Sequence, residues 1–288
     1  MQYNPGAQLD PSRMGSGGGG RGGGIAVGGG ASILVIILAL LFGFDPGALL
    51  GGSSAPAGTD TGNEYADCKT GADIETNRDC RFVAYTNSIQ AYWSQALPGY
   101  QQTRTVTFEG SINTGCGQAT SAVGPFYCPA DSTVYLDKGF FDAMLPRLGA
   151  AGGDAAEAYV IAHEYGHHIQ NLTGIMAQVQ QAGQQTGPTS PQTRLELQAD
   201  CYAGVWFRYA ANDPNGPIAE VTQDDLNRAA DAAEAVGDDR IQQSQTGRIN
   251  PEEWTHGSSE QRNKWLARGF NTGDPNQCNT FAAGALDS

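Results

Sequence analysis

The sequence predicts an α+β fold, a helical majority with a small antiparallel sheet, preceded by one transmembrane helix. Three observations predict it. An uncharged apolar run occupies residues 25–44, and strand-like stretches are confined to residues 103–136. From residue 154 onward, apolar residues recur at helical spacing between recognisable helix caps.

Residues 1–24 are polar and then almost pure glycine, ending GSGGGGRGGG. Such a segment buries little apolar surface and is expected to be a disordered tail. The run IAVGGGASILVIILALLFGF follows. About 20 residues of helix span roughly 30 Å, the hydrocarbon thickness of a bilayer. Its densest part, 33–44, is shorter, so a cleaved signal peptide competes, with Ala55-Pro56-Ala57 as its cleavage site. That site is far from the apolar run and the leader is long, which favours an uncleaved anchor. Arg13 and Arg21 precede the run and Asp45 follows it. The positive-inside rule then places the N-terminus in the cytoplasm and the main domain outside. Residues 45–63 read as a Gly/Ser/Pro/Thr-rich linker and 64–288 as one folded domain.

All six cysteines lie after the apolar run, which suits disulfides in an oxidising compartment. Many pairings are possible. Taking the two local pairs first gives Cys68–Cys80, Cys116–Cys128 and Cys201–Cys278. No CxxC is present, which argues against a cysteine zinc site. The net charge of −14 falls entirely on the part after the apolar run and argues against a nucleic-acid partner.

Within the domain, Phe82, Val83, Tyr85, Ile89, Tyr92, Trp93 and Leu97 mark a helix over 81–97, ended by Pro98-Gly99. TRTVTF (103–108) alternates and reads as a strand, and FYC and STVYL as a short strand pair. After Gly152-Gly153, Asp154 with Glu157 three residues on predicts a capped helix running to about residue 171, with Gly174 as a stop. Ser190-Pro191 opens the next helix, which ends near residue 212. A further helix covers 222–236, and another starts at Ser258 with Gln261 at the capping-box position.

The stretch HEYGHH, 163–168, holds three of the chain's four histidines. Residues four apart share a helix face, so His163 and His167 project side by side and can hold one metal ion. Glu164 reaches the space beside such a metal without ligating it. This is H-E-x-x-H, two zinc ligands plus a general base. His168 lies about 140° around the helix from His163 and is a poor ligand for the same ion. HExxH alone is short and arises by accident, so a third ligand decides. ELQAD supplies one: Glu196 and Asp200 are four apart on a helix that otherwise looks buried. Buried carboxylates are costly unless paired or metal-bound. Glu196 completes His-His-Glu, and Asp200 can accept the free ring N–H of a ligand histidine. The bland alternative is that both are solvated.

HEYGHHIQNLTG followed by ELQADCYAG resembles the bacterial family of neutral zinc metallopeptidases, over most of the chain after the linker. The resemblance implies a zincin-like, gluzincin-type domain with membrane anchoring. GPFYCPADSTVYLDKGFF is similar to the strand segment lining the cleft of those enzymes. The paired HExxH and ExxAD, and THGSSEQR, also resemble motifs of the membrane metalloproteases related to the CAAX prenyl protease. By that likeness His256 and Arg262 join Glu164 as catalytic candidates, with His256 donating to the oxyanion. Gly257 stands where that group has proline. A surface histidine and a helix-borne arginine are the plain alternative.

These residues lead to a membrane-anchored zinc endopeptidase acting on peptide or protein substrates, with Zn²⁺ on His163, His167 and Glu196. The competing reading is a proteolytically silent zinc-binding scaffold of the cell envelope. Glu164 argues against it, because a metal-only site has no use for a base there. A non-peptide zinc hydrolase is a third option, disfavoured by the cleft-edge strand, with which an extended peptide can pair.

Overall fold

The computed structural model describes residues 1–17, 64–121 and 123–286. The predicted transmembrane helix (25–44) and linker (45–63) lie outside the described residues. Among the described residues no helix is long and apolar enough to cross a membrane.

The chain begins with two short strands, β1 (Gln2–Tyr3) and β2 (Met14–Gly17). Helix α1 (Cys80–Ala96) is followed by β3 (Arg104–Phe108), the hairpin β4 (Ser111–Thr114) and β5 (Gly117–Thr120), then β6 (Phe126–Cys128) and β7 (Thr133–Asp137). Helices then dominate: α2 (Asp154–Leu172), α3 (Ile175–Gln181) and α4 (Pro191–Ala210). After the short strand β8 (Ile218–Glu220) come α5 (Gln223–Ala235), α6 (Asp238–Thr246) and α7 (Ser259–Thr272). The fold therefore mixes a helical majority with small sheets, as the sequence predicts.

Two expectations need correction. The main sheet is not antiparallel. Its order is β2-β3-β7-β6, and both β2–β3 and β3–β7 run parallel; only β6–β7 is antiparallel. The parallel step from β3 to β7 is made across the inserted β4–β5 hairpin and β6. Residues 1–17, expected within a disordered tail across a membrane from the domain, are instead built into it. The MGSG strand offers few apolar side chains, but its backbone pairs with the edge of β3 from Met14↔Thr105 to Gly17↔Phe108. Leu9 and Met14 are buried in the main core. Asn87 accepts from the Asp10 N–H at 2.7 Å and donates to its carbonyl at 2.9 Å. The Tyr3 hydroxyl lies 2.5 Å from that of Tyr85 and donates to Asp154 at 3.0 Å. Residues 1–17 are thus part of the same folded body as the domain.

The main core joins α1, α2, α4 and α7 to the sheet through residues such as Phe82, Tyr85, Ile161, Tyr165, Trp206 and Leu136. A smaller cluster, with Phe108, Ile112, Phe126 and Tyr135, lies between the sheet and the β4–β5 hairpin. The three disulfides are Cys68–Cys80, Cys116–Cys128 and Cys201–Cys278, the pairing reached by taking local pairs first.

Candidate metal centre

Helix α2 carries the HExxH residues through the core. Asp154 was expected as its N-cap. It is instead the first helical residue, after Gly153, and its carboxylate accepts from Arg81 at 3.0 Å. Glu157 accepts from Arg81 and Arg78, each at 2.7 Å. Two carboxylates in the first turn favour the helix through its macrodipole. Helix α4 starts where Ser190-Pro191 predicts, with the Ser190 side chain accepting from the Thr193 N–H. The two helices meet at Gly166, where a Cβ would stand 2.9 Å from the Ala199 Cα. Any larger residue at 166 would push α4 away, and Ala199 lies between Glu196 and Asp200. The glycine inside HEYGHH thus sets how closely the two motif helices approach.

That approach gathers His163, His167 and Glu196, all buried, with one potential ligand atom from each within 4.8 Å of the others. His163 Nε2 lies 3.2 Å from Glu196 Oε2, and His167 Nε2 lies 3.7 Å from Glu196 Oε1. His167 Nε2, Glu196 Oε2 and Glu164 Oε2 are buried and have no hydrogen-bond partner. Buried polar atoms left without partners are costly in a dry interior unless something binds them. Two imidazoles and a carboxylate are a donor set suited to Zn²⁺ with a position left open. The residues present fit the metal.

The second layer explains the orientation of the first. Asp200 Oδ1 lies 2.8 Å from His163 Nδ1 and accepts from the Tyr159 hydroxyl at 2.6 Å and from Arg262 Nη2 at 2.9 Å. Burial works against the Asp200 carboxylate, but Arg262 and His163 outweigh it and hold its pKa below the usual range. Burial also works against charge on His163, and Asp200 overrides it, raising the metal-free ring to about 9. Burial raises the Glu164 carboxyl, opposed by His167 and His163. The backbone of Tyr127, on β6, is near enough to Glu164 to offset part of that rise.

Arg262, expected among the catalytic candidates, is placed on Asp200. Its guanidinium donates to Asp200 and to the Tyr159 hydroxyl, so it acts on the site through Asp200. His256 is buried, with Nδ1 3.0 Å from Thr255 Oγ1 and 3.3 Å from Asp238 Oδ1. It is near enough to Glu196 to help lower that carboxyl's pKa. Asp238 Oδ2 accepts the backbone N–H groups of Thr255, His256 and Gly257, at 2.7, 2.6 and 3.1 Å, which fixes the turn bearing His256. That turn has Gly257 at φ +87°, a conformation closed to proline.

His168 points elsewhere. Its Nε2–H donates to the Gln101 carbonyl at 2.7 Å, and Nδ1 accepts from the Tyr127 hydroxyl at 3.0 Å. Asn171 donates to the same hydroxyl at 2.9 Å. His168 therefore ties β6 to α2. Tyr159, Gln170 and Asp238 were missed at the sequence level. Gln170 carried a signal, lying three residues after His167; Asp238, 18 residues from His256, carried none.

A family described as "Putative neutral zinc metallopeptidase" matches residues 4–281. The chain is 50% identical over 257 residues to uncharacterized protein Rv2575 of Mycobacterium tuberculosis, covering 86% of each chain. It is 44% identical over 232 residues to uncharacterized protein YpfJ of Escherichia coli K12, covering 77% of this chain and 78% of that one. No solved structure matches the chain.

Proposed function

Because this chain belongs to the neutral zinc metallopeptidase family, we propose that it is an endopeptidase hydrolysing peptide bonds in protein substrates, with Glu164 as general base. The observation that carries this is the buried donor set of His163, His167 and Glu196, with one ligand atom from each within 4.8 Å of the others, together with the buried, unpartnered Glu164 Oε2. His163, His167 and Glu196 would hold Zn²⁺, which supplies Lewis acidity to water and to the scissile carbonyl.

The chain's own residues do the rest. Glu164 takes the proton of the attacking water and passes it to the leaving amine. Burial raises its carboxyl, which makes it readier to accept the proton. His256, set by Asp238, faces the oxyanion as it forms. Asp200, Tyr159 and Arg262 keep His163 in the tautomer that leaves Nε2 free. Strand β6, at the edge of the main sheet and joined to α2 through His168 and Asn171, offers its backbone to an extended peptide.

Three disulfides suit an oxidising compartment outside the cytoplasm. The apolar residues 25–44 would hold the domain at the membrane, with residues 1–17 on the domain's side. The test is cleavage of denatured casein by the full chain in detergent. Hydrolysis should stop on adding a chelator and return on adding zinc. Hydrolysis indifferent to chelator would remove the metal from the account, and none at all with zinc bound would remove the peptidase activity.

A further inference from the structure

The two metal-facing histidines are held differently. His163 leans on a carboxylate, Asp200, but His167 leans on a neutral amide: its Nδ1 lies 2.8 Å from Gln170 Oε1. We infer that Gln170 is the positioning residue for His167, itself set by Gln198, and that this pair of amides tunes the affinity of the centre for its metal. The inference rests on the reading of the site as a metal centre.

The hydrogen bonds determine the direction of each group. Gln170 Nε2 donates to two acceptors, the Leu195 carbonyl at 2.7 Å and Gln198 Oε1 at 3.1 Å. A flipped amide would set its oxygen against both acceptors, so Oε1 must face His167. His167 then carries its proton on Nδ1, and its Nε2 lone pair is left for a metal. Gln198 is fixed the same way, because its Nε2 donates to the Cys278 carbonyl at 3.0 Å. Cys278 is in turn held to α4 by its disulfide with Cys201. A chain of donors and acceptors thus runs from His167 through Gln170 and Gln198 to the Cys278 carbonyl.

Every side chain in it is buried, with Gln170 fully so and Gln198 4% exposed. The groups are shielded from solvent, and the acceptor that His167 Nδ1 meets is Gln170 Oε1. The amide holds the ring without adding a second anion next to Glu196, so the centre keeps its net charge while the ring is fixed. Gln170 also bridges α2 to the backbone of α4 one residue before Glu196. The same side chain therefore sets the orientation of one ligand and the distance to another.

A purely structural cross-link between α2 and α4 would predict a loss of stability alone. Two variants of the full chain separate the roles. Gln170→Met keeps the volume and removes the acceptor; Gln170→Glu keeps an acceptor facing Nδ1 and loses both donors. Each is measured by zinc competition against a chromogenic chelator, by the visible absorption of its Co²⁺ form, and by thermal melting. Gln170→Met should bind zinc about 10- to 100-fold more weakly, with a changed Co²⁺ spectrum. Gln170→Glu should melt lower yet bind zinc within a few-fold of wild type, by roughly the same measure. If Gln170→Met does not fold, Gln198→Leu, one step removed, should still weaken zinc measurably, by less than the roughly 10-fold lower end for partners that touch a metal ligand. Wild-type zinc affinity and Co²⁺ spectrum in a folded Gln170→Met would overturn the inference, as would unchanged affinity in Gln198→Leu. Failure of the wild-type chain itself to bind zinc would overturn the metal centre first, and is visible before any variant is read.

Discussion

Replacing Asp200 by alanine tests the second layer of the centre where its charges are most concentrated. The Asp200 carboxylate is completely buried, and Oδ1 alone meets His163, Tyr159 and Arg262. Arg262 is itself only 3% exposed. Alanine at 200 leaves a buried guanidinium without its counter-ion, which costs about 3–5 kcal/mol. In a domain of this size each kcal/mol lowers the melting temperature by about 2–4 °C, so a drop of roughly 6–20 °C is expected. Zinc affinity should fall about 10- to 100-fold, because His163 loses the acceptor on Nδ1. Adding Arg262→Met to Asp200→Ala should recover part of the stability, since the stranded charge is gone, and none of the zinc affinity. The assay is a double-mutant cycle of thermal melts with zinc competition on the same four proteins. Asp200→Ala melting within about 2 °C of wild type would refute the reasoning, because that shift corresponds to less than about 1 kcal/mol. The pH dependence has a defined sign. Asp200 has a depressed folded pKa, so its stabilisation is fully present above the ordinary aspartate value near ~4 and is lost as pH falls further through the folded value.

In the metal-free protein His163 is raised to about 9, so its contribution is fully present below an ordinary histidine pKa near ~6.5. That contribution is lost as pH rises through the folded value, so thermal melts of chelator-treated protein should decline across that window. Gly257→Pro cannot adopt φ +87°, and it removes the N–H that Asp238 accepts. It should lower stability by about 1–3 kcal/mol, read by denaturant unfolding, with hydrolysis falling as His256 is displaced. Deleting residues 1–17 exposes the core under Leu9 and Met14 and should cost about 3–6 kcal/mol from those two side chains alone. Unchanged unfolding would mean that the segment is not part of the domain. Thiol labelling of the native, unreduced full chain should find no free cysteine.

Much of the centre was legible because its signals are local. The four-residue spacings in HEYGHH and ELQAD put each pair of side chains on one helix face, and Ser190-Pro191 and Ser258 with Gln261 announce the helices they cap. What was not legible depends on partners far apart in sequence. The MGSG strand has a composition that reads as disorder, since what holds it is the unpaired backbone of β3. The parallel β3–β7 pairing is hidden by the hairpin inserted between them. Arg262 read as catalytic from its place in a motif, and its pairing with Asp200, 62 residues away, has no mark in the sequence. Asp238 has no sequence mark at all, because one carboxylate accepting three successive N–H groups is visible only in three dimensions.

The central claim is that Glu164 moves the proton while His163, His167 and Glu196 hold the metal. Its most direct test is the rate of casein hydrolysis by zinc-loaded Glu164→Gln, a variant that keeps the side-chain shape and removes the proton acceptor. The account predicts full zinc content, because Glu164 contributes no ligand, with hydrolysis reduced by about 10²- to 10⁴-fold. Hydrolysis at the wild-type rate with zinc in place would contradict it.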